Sequence, residues 1–248
     1  MKAFIFAAGY GTRLRPWTDS HPKALAPING RTLLDFVISG LSDRAGIDGF
    51  IVNVHHFSDQ VKRHIADHYA DGSPEITVSD ETDLLLDTGG GLLKGSALLD
   101  EEEDLLVHNV DILTDLDYAK MIDSHRKSGN DVTLLVSDRD SSRRLLFDEN
   151  GMLRGWQNLK DGSVLPQDID SEQFRPRSFG GIHILSPKAL SLLEKYAAET
   201  GERKFSIIPF YLWAMERLKI GAFEAPQGMK WLDVGKPETL QQAQELFI

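Results

Sequence analysis

Short apolar runs along this chain alternate with segments whose apolar residues recur at every third or fourth position. Two residues per repeat is the period of a half-buried strand, a continuous apolar run suits a strand covered on both faces, and the longer period marks a helix. Residues 2–7 read as a fully buried strand, and Leu33, Leu34, Val37, Ile38 and Leu41 as one face of the helix after it. A strand at 49–54 follows, then a helix carrying Val61, Ile65 and Tyr69 with Ser58 as its cap, then a strand at 75–79. Gly89, Gly90 and Gly91 open a further helix, 104–109 reads as a strand leading to Asp111, and a helix at 118–128 precedes a strand at 131–137. This is the pattern of stacked βαβ units around a parallel sheet.

Beyond residue 137 the texture changes. Short strands at 145–147, 152–156 and 179–185, with a polar stretch at 161–177 between them, predict a mixed and partly antiparallel extension. Helices are expected at 187–198 and 205–218, an edge strand at 220–225, and a closing helix at 236–247 with Pro237 in its first turn. No linker-like or low-complexity stretch divides the chain, so residues 1–248 are expected to form a single domain. The acidic run at 101–104 reads as a solvated loop before a strand.

Composition narrows the function. With 38 acidic against 27 basic residues, the net charge of −11 opposes non-specific attachment to nucleic acid or an anionic membrane. No apolar run approaches the ~18 residues of a membrane span, and the apolar start lacks a cleavage site before Gly9, so a cytoplasmic protein is expected. The absence of cysteine excludes a disulfide framework and thiolate-bound zinc. Any polyanionic ligand of so acidic a chain needs local cations or a metal.

Three constellations meet that need. The first connection reads Ala7-Ala8-Gly9-Tyr10-Gly11-Thr12-Arg13, with Arg15 and Lys23 close behind. Gly9 and Gly11 permit positive φ and let backbone N–H groups face a phosphate chain, while the cations neutralise it. The second is Asp87-Thr88-Gly89-Gly90-Gly91, whose missing side chains suit a loop against a flat base or sugar. The third is a pair of aspartates, Asp111 and Asp233, each set behind apolar residues where a lone carboxylate is costly, and both satisfied by magnesium held together with substrate phosphates.

In this order, Gly-x-Gly-Thr-Arg-Leu-x-Pro with Pro22-Lys23, Asp87-Thr88-Gly89-Gly90, a strand ending in Asp111, Phe179-Gly180-Gly181-Ile182 and Trp231-Leu232-Asp233-Val234-Gly235, the chain resembles the sugar-1-phosphate nucleotidylyltransferases. The likeness runs from residue 2 to about 246. It is nearest to compact N-acetylmuramate α-1-phosphate uridylyltransferases and mannose- or heptose-1-phosphate guanylyltransferases. The resemblance implies a Rossmann-like α/β/α sandwich with a mixed central sheet, and a reaction of nucleoside triphosphate with sugar 1-phosphate to give nucleotide sugar and pyrophosphate. It implies that Ala7, Ala8, Gly9, Gly11 and Thr12 line the nucleotide, with Asp87, Thr88 and Gly89 at the base or ribose. Arg13 and Lys23 would act on the phosphates, Asp111 and Asp233 would ligate Mg2+, and Asn109 and Gly180 would lie near the sugar. UTP with N-acetylmuramate 1-phosphate is the favoured pair and GTP with mannose or a heptose 1-phosphate the alternative, in a monomer or small homo-oligomer. The lactyl carboxylate of a muramate requires a cation, for which Arg175, Arg177 and Arg203 are candidates and Arg177, beside the Phe179-Gly180-Gly181 segment, is the choice.

Two other readings remain. A Rossmann oxidoreductase needs an acidic residue about 20 positions beyond its glycines, which Asp35 offers, but Leu14 stands where the third glycine belongs. A non-catalytic nucleotide-sugar sensor on the same fold needs neither both aspartates nor both cations.

Overall fold

The computed structural model describes residues 1–99 and 103–247. Its first strand, β1 (Lys2–Phe6), is apolar because both faces are covered. A small hairpin, β2 (Pro27–Ile28) with β3 (Arg31–Thr32), leads into α1 (Leu33–Ala45). Thr32 caps α1: its hydroxyl accepts from Asp35 N at 3.1 Å, and the Asp35 carboxylate accepts from Thr32 N at 3.2 Å. Tyr69 donates its hydroxyl to Asp35, and His64 contacts the same oxygen, both at 2.8 Å. Burial alone would raise the Asp35 carboxyl, but the hydrogen bonds from His64, Thr32 and Tyr69 outweigh it and hold the group well below the usual carboxylate range. Asp35 is thus committed to a helix start, which removes the acidic residue that the oxidoreductase reading requires.

The βα alternation continues through β4 (Gly49–Val54), α2 (Ser58–His68), β5 (Glu75–Asp80), α3 (Asp87–Ser96), β6 (Leu105–Asn109), β7 (Ile112–Thr114), α4 (Tyr118–Ser128) and β8 (Val132–Ser137). Ser58 does not cap α2 as expected. It is the first helical residue, buried, and accepts a hydrogen bond from Thr82 Oγ1 at 3.1 Å. Of the acidic run, Glu101 and Glu102 lie outside the described residues, and Glu103 pairs with the N-terminal ammonium at 2.9 Å.

After β8 come β9 (Arg143–Phe147), β10 (Leu153–Asn158), β11 (Ser163–Leu165), β12 (Arg175–Leu185), α5 (Pro187–Thr200), α6 (Ile207–Ala214), β13 (Ile220–Glu224), β14 (Trp231–Asp233) and α7 (Pro237–Leu246). Two expectations change here. The polar stretch 161–177 is not one connection, since it contains β11 and the start of a β12 that begins at Arg175. The second late helix is shorter than 205–218: the residues before Ile207 are bound to the turn at 86–90, and after Ala214 the chain turns, with Arg217 N and Leu218 N both donating to Ala214 O at 2.8 Å.

The main sheet runs β5-β4-β1-β6-β12-β8-β13. Neighbours are parallel except β12, which is antiparallel to both β6 and β8, so the sheet is mixed as expected. β13 lies at the edge. The first residues of β12, Arg175 to Arg177, pair with β9 and carry a side ribbon of β9, β10 and β11. Alternating side chains of the sheet feed two cores. Ala3 and Ile5 pack with Leu34, Val61, Met121 and Ala243 of α1, α2, α4 and α7, whereas Phe4 packs with Leu92, Leu193 and Phe210 of α3, α5 and α6. The result is an α/β/α sandwich. No helix among the described residues is long and apolar enough to cross a membrane.

Candidate active site

The chain leaves β1 toward β4 and β5, then returns to place β6 on the other side of β1. That reversal makes the carboxyl end of β1 a topological switch point, where open α/β sheets leave a crevice. A cavity of about 590 Å³ lies there, lined by the loop from Ala7 to Arg13, by Asp87 and Thr88, and by Lys23, Asn109 and Asp111. Gly11 has φ +62°, and a Cβ on it would lie 2.9 Å from both Lys23 Cβ and Thr18 Cγ2, so only glycine both makes this turn and admits Lys23. Gly9 differs from the expectation. It does not take positive φ, and nothing stands within 4 Å of its missing side chain.

The loop is held from beneath. Asn53, a buried polar residue in the otherwise apolar β4, accepts from Ala7 N at 2.7 Å and Ala8 N at 3.3 Å, and donates to Glu81 Oε1 at 2.7 Å. The other Glu81 oxygen accepts from Leu86 N at 3.0 Å. One buried relay therefore fixes the glycine loop and the turn before α3 in a common frame. Sequence reasoning missed both residues, although an asparagine inside Phe-Ile-Val-Asn-Val is itself a signal, because a buried amide needs a defined partner.

The two aspartates come together through the β7–β14 pair. Asp233 stands opposite Ile112, and Val234 N donates to Asp111 O at 2.8 Å. Each carboxylate meets a cation: buried Lys23 donates to Asp111 Oδ2, and Arg13 approaches Asp233 Oδ2 to 3.4 Å at a more open position. Residues from three distant parts of the sequence thus form one patch of alternating charge beside the cavity. Arg15 does not join it, because it pairs with Asp19 at 3.1 Å on the surface.

The remaining sequence-derived residues divide. Thr12 and Asn109 line the cavity with Asp87 and Thr88. Gly89 does not, and its reason is packing: a Cβ there would strike the Phe205 ring, and one on Gly90 would strike the Arg203 carbonyl. Gly89 and Gly90 thus admit a neighbouring segment at the start of α3, whereas a Cβ on Gly91 would lie 2.7 Å from Glu81 Oε1. Gly180 accepts from Trp231 Nε1 at 2.9 Å, and Arg139 lies 3.9 Å over the Trp231 ring. Arg177 borders a second cavity, of about 540 Å³, which it shares with Arg139, and it donates to Glu224 at 2.8 Å. Arg175 is exposed on the side ribbon, and Arg203 contributes its backbone to the seam with α3. Lys204, a cation that sequence reasoning passed over, lines the first cavity.

A crevice at the β1 switch point of a mixed sheet, with a glycine loop, two cations and two carboxylates, suits a protein that handles activated phosphates. The chain belongs to the nucleotidyl transferase family, whose model matches residues 2–145. It is 31% identical over 244 residues to the N-acetylmuramate alpha-1-phosphate uridylyltransferase of Caulobacter vibrioides, covering 95% of this chain and 92% of that enzyme. It is 26% identical over 250 residues to the mannose-1-phosphate guanyltransferase of Debaryomyces hansenii, and spans 65% of the length of that longer enzyme. The crystal structure of HddC from Yersinia pseudotuberculosis complexed with GMP-PN shares the fold, with a TM-score of 0.76 at 23% identity over 100% of this chain and 99% of that one. The activity of this chain is accordingly that of a sugar-1-phosphate nucleotidyltransferase.

Proposed function

We propose that the chain joins UTP to N-acetylmuramate 1-phosphate, releasing pyrophosphate, with magnesium at Asp111 and Asp233. The observation that carries the choice of substrates is the likeness to the Caulobacter uridylyltransferase, which spans nearly the whole of both chains. The two carboxylates suit magnesium. Among the described residues no group of three or more His, Asp or Glu side chains gathers, and magnesium is commonly held by one or two carboxylates with phosphate oxygens and water completing the octahedron. When bound, the ion supplies charge neutralisation between polyphosphate and carboxylates.

The sugar phosphate needs little activation. Its second pKa lies near ~6, so at neutral pH it is a dianion whose oxygen can attack the α-phosphorus of UTP while the bond to the β-phosphate breaks and pyrophosphate leaves. Repulsion between anions is the obstacle. Arg13 and Lys23 answer it by holding positive charge at fixed positions beside the glycine loop, whose first residues, Ala7 and Ala8, are anchored through their N–H groups to Asn53. Without substrate, Asp233 and Asp111 balance those cations, which keeps them in place. On the sugar side, Arg139 and Arg177 of the second cavity are the cations for the lactyl carboxylate, with Arg177 already shared with Glu224.

The alternative pair, GTP with mannose 1-phosphate, is favoured by the full-length alignment of this chain with the guanyltransferase of Debaryomyces. A pyrophosphate-release panel crossing UTP and GTP with N-acetylmuramate, N-acetylglucosamine and mannose 1-phosphates separates the readings. UTP with the muramate should give the greatest kcat/KM. A clear preference for GTP with mannose 1-phosphate, or equal rates with the muramate and N-acetylglucosamine phosphates, would overturn the choice.

A further inference from the structure

Asn53 and Glu81 are 2% and 1% exposed, and of the two only Asn53 lines the cavity. An amide has one accepting end and one donating end, and here both are engaged. Asn53 Oδ1 accepts from Ala7 N and Ala8 N, so Nδ2 must find an acceptor elsewhere, which Glu81 Oε1 supplies at 2.7 Å. A flipped amide would set donor against the loop N–H groups and acceptor against the carboxylate, so the relay runs in one direction. At its far end Glu81 Oε2 accepts at 3.0 Å from Leu86 N, immediately before Asp87 and Thr88 of the cavity wall. The third glycine of the triplet belongs to this arrangement, because a Cβ on Gly91 would lie 2.7 Å from Glu81 Oε1 and 3.1 Å from Asn53 Nδ2.

A carboxylate at position 53 would hold the two loop N–H groups more strongly than an amide does, since charge shortens and strengthens a hydrogen bond. It would also set negative charge on the cavity wall, against an incoming polyphosphate. Both side-chain partners of Glu81 are neutral N–H groups, so neither offsets its charge, and where that charge sits matters. The intervening amide transmits the ordering and leaves the charge behind.

We propose that Asn53 and Glu81 are positioning residues for nucleotidyl transfer: Glu81 orders the start of the glycine loop through Asn53, a neutral spacer that keeps the carboxylate off the cavity wall. The proposal rests on the nucleotidyl-transfer reading for the presence of phosphates beside the loop, and adds two residues that act through its backbone.

Three variants of the whole protein, each preserving side-chain shape, test it: Asn53→Asp, Glu81→Gln and the two combined. Asn53→Asp sets two carboxylates face to face, and Glu81→Gln leaves either Leu86 N or Asn53 Nδ2 without an acceptor. Each should lower the melting temperature by about 4 °C or more. The double variant reverses the relay, because the carboxylate now at position 53 accepts from Ala7 N, Ala8 N and the new amide, whose oxygen accepts from Leu86 N. It should melt within about 2 °C of the wild type. With the charge moved to the cavity wall, its kcat/KM for the nucleoside triphosphate should still be lower by about tenfold or more, measured with the substrate pair the wild type turns over fastest. Should a single variant fail to fold, rescue by the double variant still decides. Single variants that melt like the wild type, or a double variant that melts no higher than they do, would overturn the relay. A double variant with the stability and the kcat/KM of the wild type would overturn the spacer. Each of these results leaves nucleotidyl transfer standing, whereas a wild type that turns over neither UTP nor GTP with any sugar 1-phosphate would overturn both.

Discussion

The parallel part of the molecule, through β8, and the part after it contribute to the cavity in different ways. The first builds a regular layer in which the connections themselves form the wall: the loop after β1, Asn53 at β4, the turn before α3 and Asp111 after β6. The second completes the sheet with the antiparallel β12, then sends two segments back to the cavity, one carrying Lys204 and one carrying Asp233 and Gly235. Both returns are fastened by hydrogen bonds: Ile207 N to Thr88 Oγ1 in one, Val234 N to Asp111 O and Lys230 N to Asp115 Oδ1 in the other. The apolar stripes thus raise the scaffold, and polar contacts between distant segments assemble the chemistry on it.

The largest effect is expected where the two parts meet in charge. Lys23→Ala and Arg13→Ala should each lower kcat about 10²-fold or more, because in the proposed mechanism each holds a fixed positive charge beside the reacting phosphates. They should differ in stability. Lys23 is buried against Asp111, so its loss leaves a partly buried carboxylate unpaired and costs roughly 2 kcal/mol. Arg13 and Asp233 form an exposed pair whose loss costs at most about 1 kcal/mol. Steady-state kinetics beside urea unfolding read both quantities, and equal stability losses would contradict the distinction.

Next comes the seam between β6 and β12, where His108 faces Ile182 and His183 faces Val107. Burial pushes His108 down to about 4 and His183 down to about 3, so both are neutral in the fold. Neither ring nitrogen of His183 has a partner. Below pH 6.5 the unfolded chain takes up protons that the folded chain refuses, so stability present at neutral pH is lost as pH falls toward those values. Between pH 7 and pH 5 the loss should be roughly 2 kcal/mol for each histidine. Urea unfolding at both pH values should show it, and His183→Leu should remove about half of this slope. An unchanged slope would locate the acid sensitivity elsewhere.

A smaller effect tests the segment that carries Lys204. Alanine is favoured over glycine inside a helix by ~1 kcal/mol, yet a Cβ on Gly90 meets the backbone carbonyl of Arg203, which cannot turn aside as a side chain can. Overpacking costs typically ~1–3 kcal/mol, so Gly90→Ala should destabilise by about 1 kcal/mol net and raise KM for the nucleotide by shifting Lys204. Stabilisation by Gly90→Ala would mean that the segment is not held there. The smallest effect is reserved for Arg177→Ala, whose pair with the exposed Glu224 should contribute under about 1 kcal/mol in urea unfolding.

Legibility in the sequence follows the same division. Buried strands β1, β4 and β6 and the helices between them are plain in the hydrophobic pattern, because two-sided burial leaves continuous apolar runs. Two-residue and three-residue strands such as β2, β7 and β14 are too short to show a period, and β14 is where Asp233 is delivered. The glycine loop, Lys23 and Asp111 stand out as motifs in an acidic chain, whereas Lys204 does not, since a lone lysine among Arg203, Phe205 and Ser206 resembles any solvated surface. Its place depends on contacts across more than a hundred residues, which periodicity does not encode. At Gly89 packing by itself demands a glycine, since a Cβ there would strike the Phe205 ring.

Asp111 and Asp233, the proposed metal-holding pair, each meet a cation, Lys23 and Arg13 respectively. The most direct test of that proposed pair is the rate of pyrophosphate release from UTP and N-acetylmuramate 1-phosphate as magnesium is titrated into EDTA-treated wild type, Asp111→Asn and Asp233→Asn. The predicted result is no turnover in excess EDTA, recovery with magnesium in the wild type, and rates lower by about 10²-fold or more at saturating magnesium in both folded variants. Full activity in excess EDTA, or wild-type rates from either variant, would contradict it.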